Sequence, residues 1–268
     1  MKQKSPKEIQ LENKLKEMLT GKALEAAEVL ITDPEIHYLQ EYSNTVSITR
    51  LGYNDHGPVH MRTVAINAMK MISLLTEAGI MLNLENEGSG TVDDSRTAVL
   101  LAAFLHDIGM SVGRAGHEEM AAILAQPVLE RVLQKIYPED MERQVITRTL
   151  ATEGIVGHMA SREIHSLEAG IILIADGCDM EKGRARIPML LSRGSRPGDI
   201  HKYSASAINR VIISKGDELP IKITIKMSAS VGFFQVEEVL LKKVYSSPVK
   251  PYIELFAGVE GRDLKRYL

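Results

Sequence analysis

Residues 100–110 read LLAAFLHDIGM, an apolar run that closes on two adjacent polar side chains, His106 and Asp107. A run this apolar belongs inside a protein. A buried carboxylate without a compensating cation costs several kcal/mol, so the fold must bring something to this helix end that offsets the desolvation. The same conflict recurs along the chain. His60 sits in PVHMRTVAINAMKMISLL, His117 opens HEEMAAILA, His158 follows EGIVG, and Asp176 interrupts IILIADGCDM. Asp176 has no base within one turn of its own segment, since Lys182 is six residues on.

These residues fall on segments that read as helices. Ser5-Pro6 is an N-cap followed by proline at the first helical position. The helix it opens runs to about Leu19, and Gly21 stops it. Two helices fill 22–49 with a break at Asp33-Pro34, and Gly57-Pro58 starts another that runs to about Ala78. LNLENEGSGTVDD is a polar loop, after which Asp93 or Asp94 caps the helix leading into His106. Further helices are expected at about 116–135, broken near Pro127, at 139–157 and at 166–181. Residues 191–200, LSRGSRPGDI, read as a linker. It separates a helical domain over 1–190 from a small domain over 201–268. There AINRVIIS and LPIKITIKMS read as strands joined by a hairpin loop at 215–218. A helix at about 234–245 and a strand at about 251–257 complete a β-β-α-β unit. The expected fold class is mostly α, a helical bundle followed by a small α/β unit. Three strands leave an open edge, and edges tend to be paired or covered, so a homodimer is expected.

Charge and cysteine usage narrow the function classes. A net charge of −3 offers no bulk electrostatic case for nucleic acid. The single cysteine, Cys178, rules out an intrachain disulfide and fits a reducing compartment. The N-terminus lacks the apolar core of a signal peptide, and no run approaches about 18 apolar residues. A cytoplasmic protein without a membrane segment is expected.

A metal would offset all the buried polar groups together. Neutral imidazoles and carboxylates suit Fe, Mn or Zn, and such ligands can arrive from several helices of a bundle. The alternative is a set of unrelated buried polar residues, each separately satisfied. The order His60, His106-Asp107, His117, His158 and Asp176 resembles the HD superfamily of metal-dependent phosphohydrolases. His60-Met61-Arg62-Thr63-Val64 is similar to that family's first-histidine helix, LLAAFLHDIG to its central motif, and IILIADGCDM to its last helix with the terminal Asp. The resemblance covers about residues 50–190.

It implies an all-α, HD-type bundle in which His60, His106, Asp107 and Asp176 hold one divalent ion. His117 and His158 match the subset with a second ion, Asp107 bridging. Two ions, Fe, Mn or Zn, would polarise a phosphoryl oxygen and activate a water for in-line attack on phosphorus, with Asp107 at the catalytic centre. The implied substrate is a small phosphomonoester or phosphodiester, a nucleotide. One departure stands out: many members continue as HDIGK, with the lysine near the substrate phosphate, and here the position is Met110. Arg114 and Arg62 are the candidates for that contact, with an ordinary salt bridge as the alternative for Arg62. A nucleotide-binding regulatory module without turnover and a di-iron oxygenase share the same ligand pattern.

Other residues carry paired readings. Proline is comfortable only in a first helical turn, so His56 lies before the helix of His60. Asp55 and His56 either hydrogen-bond behind the ligands or, for Asp55, cap the helix. Asp179 either binds substrate or anchors Arg184 or Arg186. The run EKGRARIP at 181–188 either binds phosphate through its guanidinium groups or is a solvated helix end whose cations complement the dipole. His165 is expected in solvent.

Overall fold

The computed structural model describes residues 4–184 and 199–268. The domain boundary at 190, Arg186 and most of the expected linker at 191–200 lie outside the described residues.

Local chemistry sets the helix boundaries. Ser5 Oγ accepts from Glu8 N and Pro6 follows, starting α1 (Pro6–Glu17). Asp33 divides α2 (Gly21–Thr32) from α3 (Pro34–Thr45), its carboxylate accepting from Glu35 N and Ile36 N at the start of α3. A π turn over Val46–Leu51 continues α3. Then follow α4 (Pro58–Glu77), the short α5 (Asn83–Asn86), α6 (Val92–Leu105), α7 (His117–Ile136), α8 (Met141–Gly157) and α9 (Leu167–Gly177).

Several boundaries differ from expectation. α1 ends at Glu17 and Gly21 opens α2 rather than stopping α1, and the expected loop beginning at Leu82 contains α5. Thr91, not Asp93 or Asp94, caps α6: its hydroxyl accepts from Asp94 N while Asp94 accepts from Thr91 N, a reciprocal capping box. Asp93 instead caps α2, accepting from Lys22 N at 2.7 Å. The expected break at Pro127 does not occur. Proline removes one helical hydrogen bond, but Val128, Leu129, Val132 and Leu133 are buried on either side of the next turn and hold α7 to the core. The last helix ends at Gly177, short of 181.

Helix α6 is the centre of the bundle. Residues 97–105 are buried all round, packed by α2, α4, α8 and α9. A helix apolar on every face has no other stable position.

The C-terminal unit opens with α10 (Asp199–Ser206), followed by β1 (Ile208–Lys215) and β2 (Ile221–Met227) as an antiparallel hairpin. A helical segment over 233–245, α11, leads to β3 (Ile253–Val259), parallel to β2. A two-residue β4 (Lys265–Arg266) adds a fourth strand the sequence reading lacked, giving the order β1-β2-β3-β4. The unit packs on α9 at two glycines. A Cβ on Gly170 would stand 2.6 Å from Ser247 Oγ, and one on Gly177 would stand 3.0 Å from Leu240 Cδ1 and 3.1 Å from Lys243 Cδ. The absent side chains let the 240–249 segment approach closely, and bundle and sheet share one hydrophobic core. Among the described residues, no helix is long and apolar enough to cross a membrane.

Candidate metal centre

Five helix ends meet at one point. His60 is in the first turn of α4, His106 caps the C-terminus of α6, and Asp107 follows it. His117 is the first residue of α7, His158 is the C-cap of α8, and Asp176 lies in the last turn of α9. All six are buried. Gly109 makes the meeting possible, because a Cβ there would lie 1.9 Å from His117 O and 2.5 Å from Ala121 N. The turn after His106-Asp107 therefore lies directly on the start of α7.

Asp107 divides the cluster into two groups. Its Oδ2 is 3.1 Å from His60 Nε2 and 3.3 Å from His106 Nε2. Its Oδ1 is 3.3 Å from His117 Nε2 and 3.4 Å from His158 Nε2. Asp176 Oδ1 joins the first group, 3.3 Å from His60 Nε2. Within each group the histidine Nε2 atoms stand 3.1 Å apart. Donors held about 2.0–2.1 Å from a single ion stand about 3.0–3.4 Å from one another, so both groups fit a divalent cation. His60, His106 and Asp107 form one potential ligand set, and Asp107, His117 and His158 the other.

The outer ring nitrogens explain why the inner ones converge. His106 Nδ1 bonds to Ala103 O, His117 Nδ1 to Arg114 O, His158 Nδ1 to Ile155 O, and His60 Nδ1 to Asp179 Oδ2. Each partner is an acceptor, so each Nδ1 donates outward and each Nε2 is turned toward the centre of the cluster. Four imidazole nitrogens and two carboxylates converging at these distances offer a donor set that a divalent cation can use once the inward nitrogens are deprotonated.

The electrostatics agree. Burial alone would raise Asp107 and Asp176, yet both are held well below the ordinary carboxylate value. The facing imidazoles do this for Asp107, and the Lys243 ammonium with His60 and His106 for Asp176. Burial and Arg184 push His60 down, but hydrogen bonds to Asp107, Asp176 and Asp179 outweigh them and raise it to about 10. Burial takes His158 down to about 4.

Arg62 is not part of this site, which corrects its place among the catalytic candidates. It is fully buried on the opposite face of α4, with Nε 2.8 Å from Glu12 Oε1 and Nη2 3.3 Å from Glu8 Oε1. Two residues along a helix is more than half a turn, so Arg62 and His60 point to different sides. The salt-bridge reading is the one the structure supports. Arg114 does reach the cluster: its Nη1 is 3.4 Å from His117 Nε2, and its guanidinium lies over the Tyr53 ring. Met110 is buried beside it, its sulfur 3.8 Å from Arg114 Nη1.

His56 lies before α4, with Nδ1 bonded to Asn54 O and Ser47 Oγ and its ring edge-on to His60. Asp55 accepts from Gly57 N, so its role is in the turn entering α4. Asp179 orients His60, and Arg184 is anchored on the backbone oxygens of Asp55 and Asp179. Arg184 Nη2 is 3.2 Å from His60 Nε2. His165 is exposed.

Lys243 of α11 was missed by the sequence reading. Its ammonium donates to Asp176 Oδ2 and, at 2.8 Å, to His158 O. The available signal was periodicity: Val236, Leu240 and Lys243 recur at helical spacing, and all three are buried. A cavity of about 650 Å³ opens onto Asp107 and Asp176. Tyr53, Arg114, Met159 and Arg184 of the bundle line it, together with Lys242 and Lys243 of the C-terminal unit.

Comparison with known proteins places this geometry in context. The model of the HD domain matches residues 59–181. An uncharacterized protein of Methanocaldococcus jannaschii is 41% identical over 236 residues, covering 86% of this chain and 87% of the relative. No solved structure matches the chain.

Proposed function

The chain belongs to the HD domain family, a superfamily of metal-dependent phosphohydrolases, and on that premise we propose that it hydrolyses a small phosphomonoester or phosphodiester, a nucleotide, at a binuclear centre. The observation that carries the proposal is the division of Asp107, one carboxylate oxygen turned to each histidine group. His60, His106, Asp107 and Asp176 would hold one divalent ion and Asp107, His117 and His158 the other. Such ions supply Lewis-acid polarisation of a phosphoryl oxygen and lower the pKa of water.

The chain's own residues supply the rest. The helix ends hold the ligand atoms in a buried cluster, where electrostatic interactions are stronger than in water. Asp179 and three backbone carbonyls hold the outer nitrogens and so aim every inward nitrogen at the cluster. Arg114 and Arg184 stand at the two ends of the cluster, next to His117 and His60, where a phosphate dianion would meet guanidinium donors. The ligand chemistry accepts Fe, Mn or Zn.

The test is elemental analysis of untagged, chelator-free protein, followed by a phosphoester panel in the presence of the metal found. About two ions per chain and metal-dependent phosphate release support the reading. A chain that takes up no iron, manganese or zinc overturns it. Tight nucleotide binding with no product after long incubation replaces it with a regulatory module.

A further inference from the structure

We propose that Lys243, carried into the site by the C-terminal unit, binds an oxygen of the substrate's phosphoryl group, so that the α/β unit is a constitutive wall of the active site. The inference rests on the phosphohydrolase reading above and goes beyond its ligand set.

The position of the ammonium argues for it. Asp176 is divided as Asp107 is: Oδ1 faces His60 in the first ligand group, and Oδ2 faces Lys243. Lys243 therefore does not compete for the oxygen that faces the first group. Its second bond goes to the backbone oxygen of His158, a member of the other group. One cation thus stands against both halves of the centre, on the cavity wall. An ammonium has three donors. Two are used, and the third has no partner among the described residues.

A purely structural role accounts less well for the arrangement. Gly170 and Gly177 already let α11 and its following turn close onto α9, and Val236, Leu240 and Val244 bury the interface. Apolar contact suffices for docking, and a buried ion pair is weak evidence for added stability. An ammonium between two carboxylate-bearing ligand groups, facing a cavity with Arg114 and Arg184 on its walls, suits a group with several anionic oxygens.

The experiment compares the full-length wild type with Lys243→Met, both loaded with Mn²⁺. Metal per chain is counted by elemental analysis, and inorganic phosphate binding is measured by calorimetry. The expected result is unchanged metal content with phosphate affinity reduced about tenfold or more, the loss of a hydrogen bond to a charged group. Phosphate affinity within about twofold of wild type would overturn the proposal while leaving the metal centre intact. A wild type that binds no metal overturns the phosphohydrolase reading and this one with it. A second readout avoids any folding defect of the variant. In Mn²⁺-loaded wild type, saturating phosphate is expected to slow acetylation of Lys243 relative to the exposed Lys265, read by mass spectrometry. Equal slowing of the two lysines contradicts a direct contact.

Discussion

His60 donates from Nδ1 to Asp179 Oδ2 across 2.6 Å, and this bond aims His60 Nε2 at His106, Asp107 and Asp176. Partners behind a ligating histidine set its tautomer and orientation. Asp179→Ala is expected to weaken metal binding by about 10–100-fold, measured by competition with a chromophoric chelator. Asp179→Asn keeps an acceptor oxygen and should lose less. An alanine variant that holds metal as tightly as wild type would mean that packing alone positions the ring.

Asp107 serves both ligand groups, so its loss should be felt at both. Asp107→Ala is expected to bind almost no metal and to lose hydrolysis. His158→Ala should keep the first group and drop from about two ions to about one. Elemental analysis of the three proteins side by side decides this. If His158→Ala retains the wild-type count, the second group does not bind an ion.

Arg62 holds two buried carboxylates, Glu8 and Glu12, and its Nη1 donates to Gln40 Oε1 at 2.8 Å. Arg62→Met leaves those acids without their guanidinium, which costs about 3–5 kcal/mol for a broken buried pair. Urea unfolding should show the loss, with metal per folded chain unchanged. A fall in metal content at full stability would instead return Arg62 to the site.

Gly109 is required by the approach of α7, since an added Cβ would meet His117 O and Ala121 N inside contact distance. Gly109→Ala should displace the start of α7 and with it His117. The expected result is a lower melting temperature and selective loss of the second ion. A fully stable variant with its metal intact would show that the turn can yield.

Acid stability should depend on Asp94. Burial would raise its pKa, but hydrogen bonds from Tyr137 and Thr91 and the charge of Arg143 outweigh burial and hold it below the ordinary 3.8. A depressed carboxylate contributes stability above its unfolded pKa and loses that contribution as pH falls through the folded value. The gap in urea midpoint between wild type and Asp94→Asn should be widest above about pH 4 and close below it. A gap that stays constant into acid would show that Asp94 acts through packing rather than charge.

Much of this was legible in the sequence because the signals are local. Ser5 and Asp33 cap the helices they precede, and the alternation in LPIKITIKMS is that of a half-buried strand. What was not legible depends on partners distant in the chain. Asp93 sits beside the start of α6 but caps α2, whose Lys22 N is 71 residues away. Pro127 reads as a helix break, and only the core around it keeps α7 whole. Arg62 sits two residues from His60 in sequence and on another side of the helix in space.

The sequence by itself determined which side chains need a partner in an apolar interior: His60, His106, Asp107, His117, His158 and Asp176 each interrupt or end a buried segment, and burial is costly for the imidazoles without a hydrogen bond and for the two carboxylates without a cation. Only the tertiary structure decided that Asp107 turns one oxygen to each histidine group, that Asp179 aims His60, and that the partner Asp176 lacks on its own helix is Lys243, 67 residues on. Periodicity places a side chain on a face of its own helix. It carries no information about which other helix end that face will meet, because that is settled by how closely the packed elements can approach.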